Sequence, residues 1–279
     1  MTDRYAVIGN PIGHSKSPLI HSTFAASCGQ EIDYQALEGP LTPGGFADTA
    51  LAFRARGGRG VNITAPFKLD AHALATSHSE RAKLAGAANC LRFGDGDLIE
   101  AENFDGIGLL RDIEVNLDQA LAGQRVLLLG AGGAARGAVL PFAQARPAKL
   151  VLVNRTISKA ETLARLVAGT GTPVRACGYA ALSGNNERFD IVVNATSASM
   201  RGELPPVPAG ALADAKLAYE LVYGKGLTPF LQRARDSGAA QLADGVGMLV
   251  EQAAEAFAWW RGVRPDTGPV IRRLTIPLT

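Results

Sequence analysis

A short apolar run, Val126-Leu127-Leu128-Leu129, breaks into Gly130-Ala131-Gly132-Gly133-Ala134-Ala135, and an alanine-rich segment with helical potential follows. That order predicts a buried strand, a tight turn and a helix N-terminus, the geometry that seats a pyrophosphate. Gly130 and Gly132 supply the first two glycines of a G-x-G-x-x-G/A pattern, and Ala135 fills the third position. Larger side chains there would hold the backbone N–H groups away from the phosphates. The next apolar run, Leu150-Val151-Leu152-Val153, ends in Asn154-Arg155-Thr156, where a dinucleotide fold meets the adenosine ribose. An NAD site usually carries Asp or Glu at that point, accepting from the ribose 2′-hydroxyl. A guanidinium flanked by amide and hydroxyl donors suits a 2′-phosphate instead, so the cofactor expected is NADP. An ordinary strand–turn–helix with a surface arginine would leave the same trace.

Four polar clusters interrupt the chain where strands should give way to loops. They are Gly9-Asn10-Pro11-Ile12-Gly13-His14-Ser15-Lys16-Ser17-Pro18, Asn62-Ile63-Thr64-Ala65-Pro66-Phe67-Lys68, Asn89-Cys90 and Glu102-Asn103-Phe104-Asp105-Gly106. Ser15 and Ser17, at alternate positions of an extended loop, can point both hydroxyls at a small anion or polyol. Singly, each cluster has a structural explanation, since Ser and Asn cap helices and a lone Lys is usually solvated.

The elements that must position these groups follow from periodicity. Tyr5–Ile8, Asp33–Leu37 and Gly60–Thr64 read as strands, and Ser17–Cys28 and Gly45–Arg56 carry apolar residues at helical spacing. Ser17 is the expected N-cap of the first helix, with Pro18 in its first turn. Leu91–Phe93 and Leu98–Ala101 predict a hairpin. A helix over residues 106–119 should link this part to a dinucleotide domain starting near Gln124. Further strands are expected at Val174–Ala176, Ile191–Val193 and Leu217–Tyr219, a surface loop at Gly202–Pro208, and a helix through Met248–Trp260. Alternating strands and helices predict an α/β protein of two domains. The expected boundaries are 1–105 (mostly parallel α/β substrate domain), 106–244 (Rossmann-type NADP domain) and 245–279 (C-terminal helices returning to the substrate domain), with the substrate meeting the nicotinamide in the cleft between domains.

Composition bounds the alternatives. The 279 residues hold 28 basic and 26 acidic side chains with 47% hydrophobic content, which suits an α/β protein with a sizeable core. The charges are interspersed, so neither nucleic acid nor a membrane surface is an expected partner. Cys28, Cys90 and Cys177 form no C-x-x-C, and no metal site is expected. The opening residues show no apolar leader, so a cytoplasmic protein is expected, as monomer or homodimer.

Taken together, the motifs resemble the shikimate dehydrogenase family. The resemblance rests on G-N-P-I-x-H-S-K-S-P, N-x-T-x-P-F-K, N-x-D-G, G-A-G-G-A-x-R-G, N-R-T, Asn194-Ala195-Thr196-Ser197, Thr228-Pro229-Phe230 and the run from Asp244 to Ala253. It extends from Tyr5 to about Pro269, with the motifs in the family's order. It implies reduction of 3-dehydroshikimate to shikimate with NADPH. By the same resemblance Ser15 and Ser17, helped by Tyr223, would hold the substrate carboxylate, and Thr64, Asn89 and Gln252 would bind ring hydroxyls. Lys68 and Asp105 would be the catalytic pair. Gly130, Ala131, Gly132, Gly133, Ala134, Asn154, Arg155, Thr156 and Thr196 would bind the cofactor, with Gly245 and Met248 against the nicotinamide. Arg136, and less so Lys159, could neutralise phosphate.

The implied chemistry is sound for these residue types. Reducing a ketone to a secondary alcohol needs a proton donor at the developing alkoxide. An ordinary lysine is an ammonium at neutral pH, so Lys68 is a natural donor, and Asp105 would orient it. Three positions depart from the family pattern. Phe104 and Cys90 stand where it commonly has Thr, and Glu220 where it often has Asp. A ring at Phe104 would crowd the catalytic Asp, which leaves open a diverged paralogue acting on quinate, an aminoshikimate or a related cyclohexene carboxylate. A folate-linked methylene dehydrogenase shares the two-domain plan but lacks reason for the paired serines. A dinucleotide sensor would have no need of Lys68 and Asp105.

Overall fold

The computed structural model describes residues 2–183 and 187–278. They form two compact units, one running through Gly108 and resuming over Val250–Arg272, the other comprising Leu109–Leu249 and the segment from Arg273.

In the first unit, β1 (Asp3–Gly9), α1 (Ser17–Ser27), β2 (Ile32–Glu38), α2 (Gly45–Ala55), β3 (Gly58–Ile63), α3 (Lys68–Leu74), β4 (Ser77–His78), α4 (Glu80–Ala85), β5 (Cys90–Phe93), β6 (Ile99–Glu102) and α5 (Asp105–Arg111) follow in order. The sheet order is β2-β1-β3-β5-β6-β4. β1 pairs in parallel with β2 and β3, and β4 with β6, while the hairpin β5–β6 and its pairing to β3 are antiparallel. Side chains of β1 alternate between two cores. Ala6 and Ile8 pack with Phe46, Ala50 and Phe53 of α2. On the opposite face Tyr5 stacks on Trp260, with ring centroids 4.6 Å apart. Gly60 makes room for that indole, because a Cβ there would stand 2.5 Å from its Nε1. The indole N–H donates to the Leu91 carbonyl at 3.1 Å.

His21 of α1 is fully buried and stacks on Tyr34, with centroids 4.3 Å apart. Burial drives its pKa from 6.5 down to about 3, so the folded protein holds a neutral imidazole. Below pH 6.5 the unfolded chain binds a proton that the folded chain refuses. The His21 contribution is therefore intact above pH 6.5 and declines by about 1.4 kcal/mol per unit as the pH falls toward 3. His21→Leu should flatten the acid side of a Tm-against-pH curve relative to wild type; parallel curves would contradict this.

The second unit begins within the helix after Asp105, which continues from α5 as a π-helical turn, Asp112–Asn116. The expected helix over 106–119 is thus shorter and changes its winding. Then come β7 (Arg125–Leu129), α6 (Gly133–Gln144), β8 (Lys149–Val153), α7 (Ile157–Leu166), β9 (Val174–Cys177), α8 (Ala180–Ser183), β10 (Ile191–Asn194), α9 (Ala209–Leu212), β11 (Leu217–Glu220), α10 (Pro229–Asp236), β12 (Gln241–Ala243), α11 (Val246–Arg261) and α12 (Gly268–Leu274). α11 leaves this unit after Leu249, and α12 through Arg272 likewise belongs to the first unit. The sheet is wholly parallel, in the order β12-β11-β10-β7-β8-β9, which is the doubly wound dinucleotide-binding order. Helices cover both faces of such a sheet, which is why Val126–Leu129, Leu150–Val153 and Ile191–Val193 are apolar without alternation and wholly buried. The Gly202–Pro208 segment is irregular, as its prolines require, but Pro205 and Val207 are buried, and Val207 joins the core under β11.

A buried polar contact fixes the start of α11. Tyr219 donates its hydroxyl to Asp112 Oδ2 at 2.7 Å and accepts from the Met248 N–H at 3.2 Å. Gly247 packs directly against Asp112, and a Cβ there would fall 1.9 Å from its carboxylate. Gly247→Ala should cost about 1–3 kcal/mol of stability. An unchanged Tm would show that the carboxylate moves aside freely.

Among the described residues no helix is long and apolar enough to cross a membrane. No group of three or more His, Cys, Asp or Glu among them could hold a metal ion.

Candidate active site

In the first unit, two loops leave the carboxyl ends of the adjacent parallel strands β1 and β3. Gly9 and Thr64 meet there so closely that a Cβ on Gly9 would stand 2.3 Å from the Thr64 methyl. The Asn10 N–H donates to the Ala65 carbonyl at 3.1 Å, tying the loops together. Ser15 is half-buried and Ser17 buried. Ser17 is not the N-cap but the first residue of α1, whose cap position is Lys16. Ser15 Oγ instead accepts from the Ser17 N–H at 3.3 Å, because the chain turns helical earlier than a Ser17 cap would allow. The two serines therefore flank a helix N-terminus rather than alternate along an extended loop.

Lys68 opens α3, held by Phe67, which is buried and stacks on Phe46. Its ammonium donates to Asp105 Oδ2 at 2.5 Å. The other carboxylate oxygen, Oδ1, accepts from the Asn89 amide at 2.8 Å, and the same amide reaches Gln252 Oε1 at 3.2 Å. Four residues drawn from α3, the loop before β5, the start of α5 and α11 are thus joined by direct hydrogen bonds. Asn89 is stitched into the sheet from both sides, since its N–H donates to Glu102 and its carbonyl accepts from Ile63. Lys68 is half-exposed and Asp105 largely buried. An ammonium has three donors and Asp105 takes one, so the pair can present a proton to an oxygen beside it.

The departures from the family pattern are accommodated in the core. The Phe104 ring is buried with Cys90 and Ala256 and meets Trp259 edge-on, at a centroid distance of 5.8 Å. The ring therefore does not crowd the Asp105 carboxylate. Burial lifts the Cys90 thiol well above its ordinary pKa and keeps it unreactive. Tyr34, which no sequence motif singles out, donates to Asn62 Oδ1 at 2.7 Å, and burial keeps its phenol protonated.

In the second unit a cavity of about 530 Å³ is lined by Gly130, Ala131, Gly132 and Gly133, by Asn154, Arg155, Thr156 and Lys159, and by Thr196. Gly130 has φ +105°, which only glycine adopts without strain, and its N–H donates to the Val153 carbonyl. Gly132 and Gly133 face open space at the start of α6, whose first-turn N–H groups have no partner within the helix. Ala134, one residue on, is half-buried and does not line the cavity. Thr196 is fixed by Asn194, whose Oδ1 accepts from both its N–H and its hydroxyl. Arg155, Thr156 and Lys159 are exposed at the mouth. Open glycines at a helix N-terminus with two cations nearby fit a dinucleotide's phosphates. Tyr179 and Arg201 line the same cavity, though no sequence motif marks them. Both follow the carboxyl ends of parallel strands, where ligands bind in such sheets, and that placement is the signal that could have found them. Burial pushes the Tyr179 phenol up to about 12, against the opposing charge of Arg155.

Tyr223, Gly245 and Met248 also belong to the second unit, outside that cavity's lining. Tyr223 is partly exposed, in a loop whose Gly224 N–H donates to Asp244 Oδ2 at 3.1 Å. Asp244 Oδ1 accepts from the Val246 N–H, so one carboxylate joins the Tyr223 loop to the start of α11. Gly245 packs against Leu221, and a Cβ would stand 2.1 Å from its carbonyl oxygen. Glu220 is wholly buried and accepts from Asn194, Ser199 and the Val222 N–H; burial raises its pKa.

Comparison with known proteins gives a consistent picture. Residues 7–91 match the model of the shikimate dehydrogenase substrate binding domain, residues 113–201 that of shikimate / quinate 5-dehydrogenase, and residues 245–275 that of the shikimate 5'-dehydrogenase C-terminal domain. A shikimate dehydrogenase (NADP(+)) from Nitrosospira multiformis is 57% identical, with 98% of each chain covered. Another of that name, from Chromobacterium violaceum, is 54% identical over the same shares. Among solved structures, an Ael1 enzyme from Pseudomonas putida superposes with a TM-score of 0.95 at 62% identity over the whole of both chains. A shikimate 5-dehydrogenase from Thermus thermophilus, in complex with NADP(H) and shikimate, gives 0.83 at 31% identity, covering 98% of this chain and 100% of that one.

Proposed function

Because the chain belongs to the shikimate dehydrogenase family, we propose that it catalyses the reversible NADP-linked reduction of 3-dehydroshikimate to shikimate. The observation that carries the proposal is the Lys68–Asp105 pair, bonded through Asn89 to Gln252 within the first unit, whose residues 7–91 match the substrate-binding model. The first unit acts as the substrate domain and the second as the NADP domain. The proposal takes a small-molecule substrate and NADP, in a cytoplasmic monomer or homodimer.

NADPH, when bound, supplies the hydride that reduces the ketone. The chain's own residues do the rest. Ser15 and Ser17, at the N-terminus of α1, hold the substrate carboxylate with Tyr223, where N–H groups and the helix dipole favour an anion. Thr64, Asn89 and Gln252 accept from and donate to the ring hydroxyls and fix which carbon is presented. Lys68 donates a proton to the oxygen as it gains charge, and Asp105 orients the ammonium throughout. In the oxidative direction the same pair receives the hydroxyl proton. Gly130–Gly133 and the first turn of α6 would hold the pyrophosphate, Arg155, Asn154 and Thr156 the 2′-phosphate, Thr196 another part of the cofactor, and Gly245 and Met248 the nicotinamide.

The test is a steady-state matrix of shikimate and quinate, each against NADP and NAD, followed at the nicotinamide absorbance. Shikimate with NADP should give the highest kcat/KM by at least about tenfold. A higher value for quinate or for NAD would overturn the assignment.

A further inference from the structure

We propose that Arg81 and Glu102 are positioning residues that set the turn Asn103-Phe104-Asp105 and thereby aim the Asp105 carboxylate at Lys68. The proposal rests on the assignment of Lys68 and Asp105 as the reacting pair. Glu102 closes β6 and is almost wholly buried, yet it is ion-paired with Arg81. Its Oε1 accepts from the Ser79 hydroxyl at 2.5 Å, from Arg81 Nε at 3.2 Å and from the Asn103 N–H at 2.8 Å; its Oε2 accepts from Arg81 Nη2 at 2.6 Å. The carboxylate thus fastens α4, through its cap Ser79 and through Arg81, to the first peptide of the turn.

The turn passes that constraint on. Asn103 donates to the Ala87 carbonyl at 3.0 Å and accepts from the Asp105 N–H at 3.2 Å. The Phe104 N–H donates to Asn89 Oδ1 at 2.9 Å, which orients the Asn89 amide so that its NH₂ meets Asp105 Oδ1. The Arg81 guanidinium also lies over the Phe104 ring, 5.6 Å from its centroid, pressing the middle of the turn into place. Every residue of the turn is therefore held in a chain of bonds that begins at Glu102, Arg81 or Asn89.

An ion pair with one partner partly exposed is a poor source of stability, because screening and desolvation offset its attraction, so its value lies in what it specifies. Here it specifies the backbone of the carboxylate that orients the reacting ammonium. Displacing such a group by an ångström can cost up to about 10²-fold in rate while leaving ground-state binding nearly intact.

The experiment compares kcat and KM for shikimate in wild type, Lys68→Ala, Arg81→Met, Arg81→Lys and Glu102→Gln, with Tm and the shikimate dissociation constant as a check that the first unit of each variant is folded. Arg81→Met should lower kcat by about 10- to 100-fold with KM changed by less than about threefold and NADP affinity unchanged. Arg81→Lys, which keeps the charge and loses the bidentate fork, should recover part of that rate. Glu102→Gln, close in shape, serves if Arg81→Met does not fold, and should also lower kcat. Folded Arg81→Met or Glu102→Gln proteins with wild-type kcat would overturn the positioning role while leaving the catalytic pair intact. A Lys68→Ala protein with wild-type kcat would remove the pair itself, and the proposal with it.

Discussion

Lys68→Ala should lower kcat for shikimate oxidation by about 10²- to 10⁴-fold, the range set by loss of a positioned acid–base group. The residue it removes is the cation bonded to Asp105 Oδ2, so the carboxylate would face the substrate without its ammonium. NADP affinity should stay unchanged, since the residues assigned to the cofactor all lie in the second unit, whereas Lys68 lies in the first. KM for shikimate should move little, because Ser15, Ser17, Thr64 and Asn89 remain. A loss confined to kcat and kcat/KM alike marks an interaction made in the transition state. Parallel losses of NADP binding and kcat would point to a structural role for Lys68 and contradict its assignment.

Arg155→Asp should reverse the cofactor preference. A hydrogen bond between charged partners contributes about 1.5–3 kcal/mol, and the substitution also places a repelling carboxylate beside the 2′-phosphate. Arg155 is exposed at the cavity mouth, so part of that attraction is screened. The ratio of kcat/KM for NADP over NAD should still fall by about 10²-fold. The new carboxylate can accept from a ribose 2′-hydroxyl, so NAD turnover should rise or hold. A ratio unchanged from wild type would assign the phosphate to Lys159 or Arg201, which line the same cavity.

Much of this architecture is written in local pattern. The unbroken apolar runs of β7, β8 and β10 are visible because both faces of a parallel sheet are covered, and Gly130 because its φ of +105° excludes other residues. The hairpin β5–β6 is equally visible, since Gly94-Asp95-Gly96-Asp97 can be little else than a turn. Other features need tertiary context. β4 and β12 are two and three residues long, too short for any period. The helix α10 spans only eight residues, and its clearest local marks are the N-cap Thr228 and the first-turn Pro229. Ser17 yields its expected capping role to a helix that already includes it, and its own N–H is taken by Ser15.

The site divides in the same way. The glycine turn and Arg155 follow from spacing within one βαβ unit. The Lys68–Asp105 contact joins residues 37 positions apart, and Asn89 meets Gln252 across 163, so only resemblance could bring them together on paper. Phe104 shows the limit of reading by position. Its neighbour in sequence is Asp105, yet backbone bonds to Asn89 and Glu102 turn the two side chains apart, and the ring ends among Cys90, Ala256 and Trp259.

The central claim is that the Lys68–Asp105 pair handles the proton of the reacting hydroxyl. A crystal structure of the protein with shikimate bound tests it most directly. A ring hydroxyl of shikimate should lie within about 2.6–3.2 Å of Lys68 Nζ and in reach of Asp105, with the substrate carboxylate at Ser15 and Ser17. Shikimate seated with its carboxylate on those serines, but with Lys68 and Asp105 bonded only to each other and to Asn89, would contradict it.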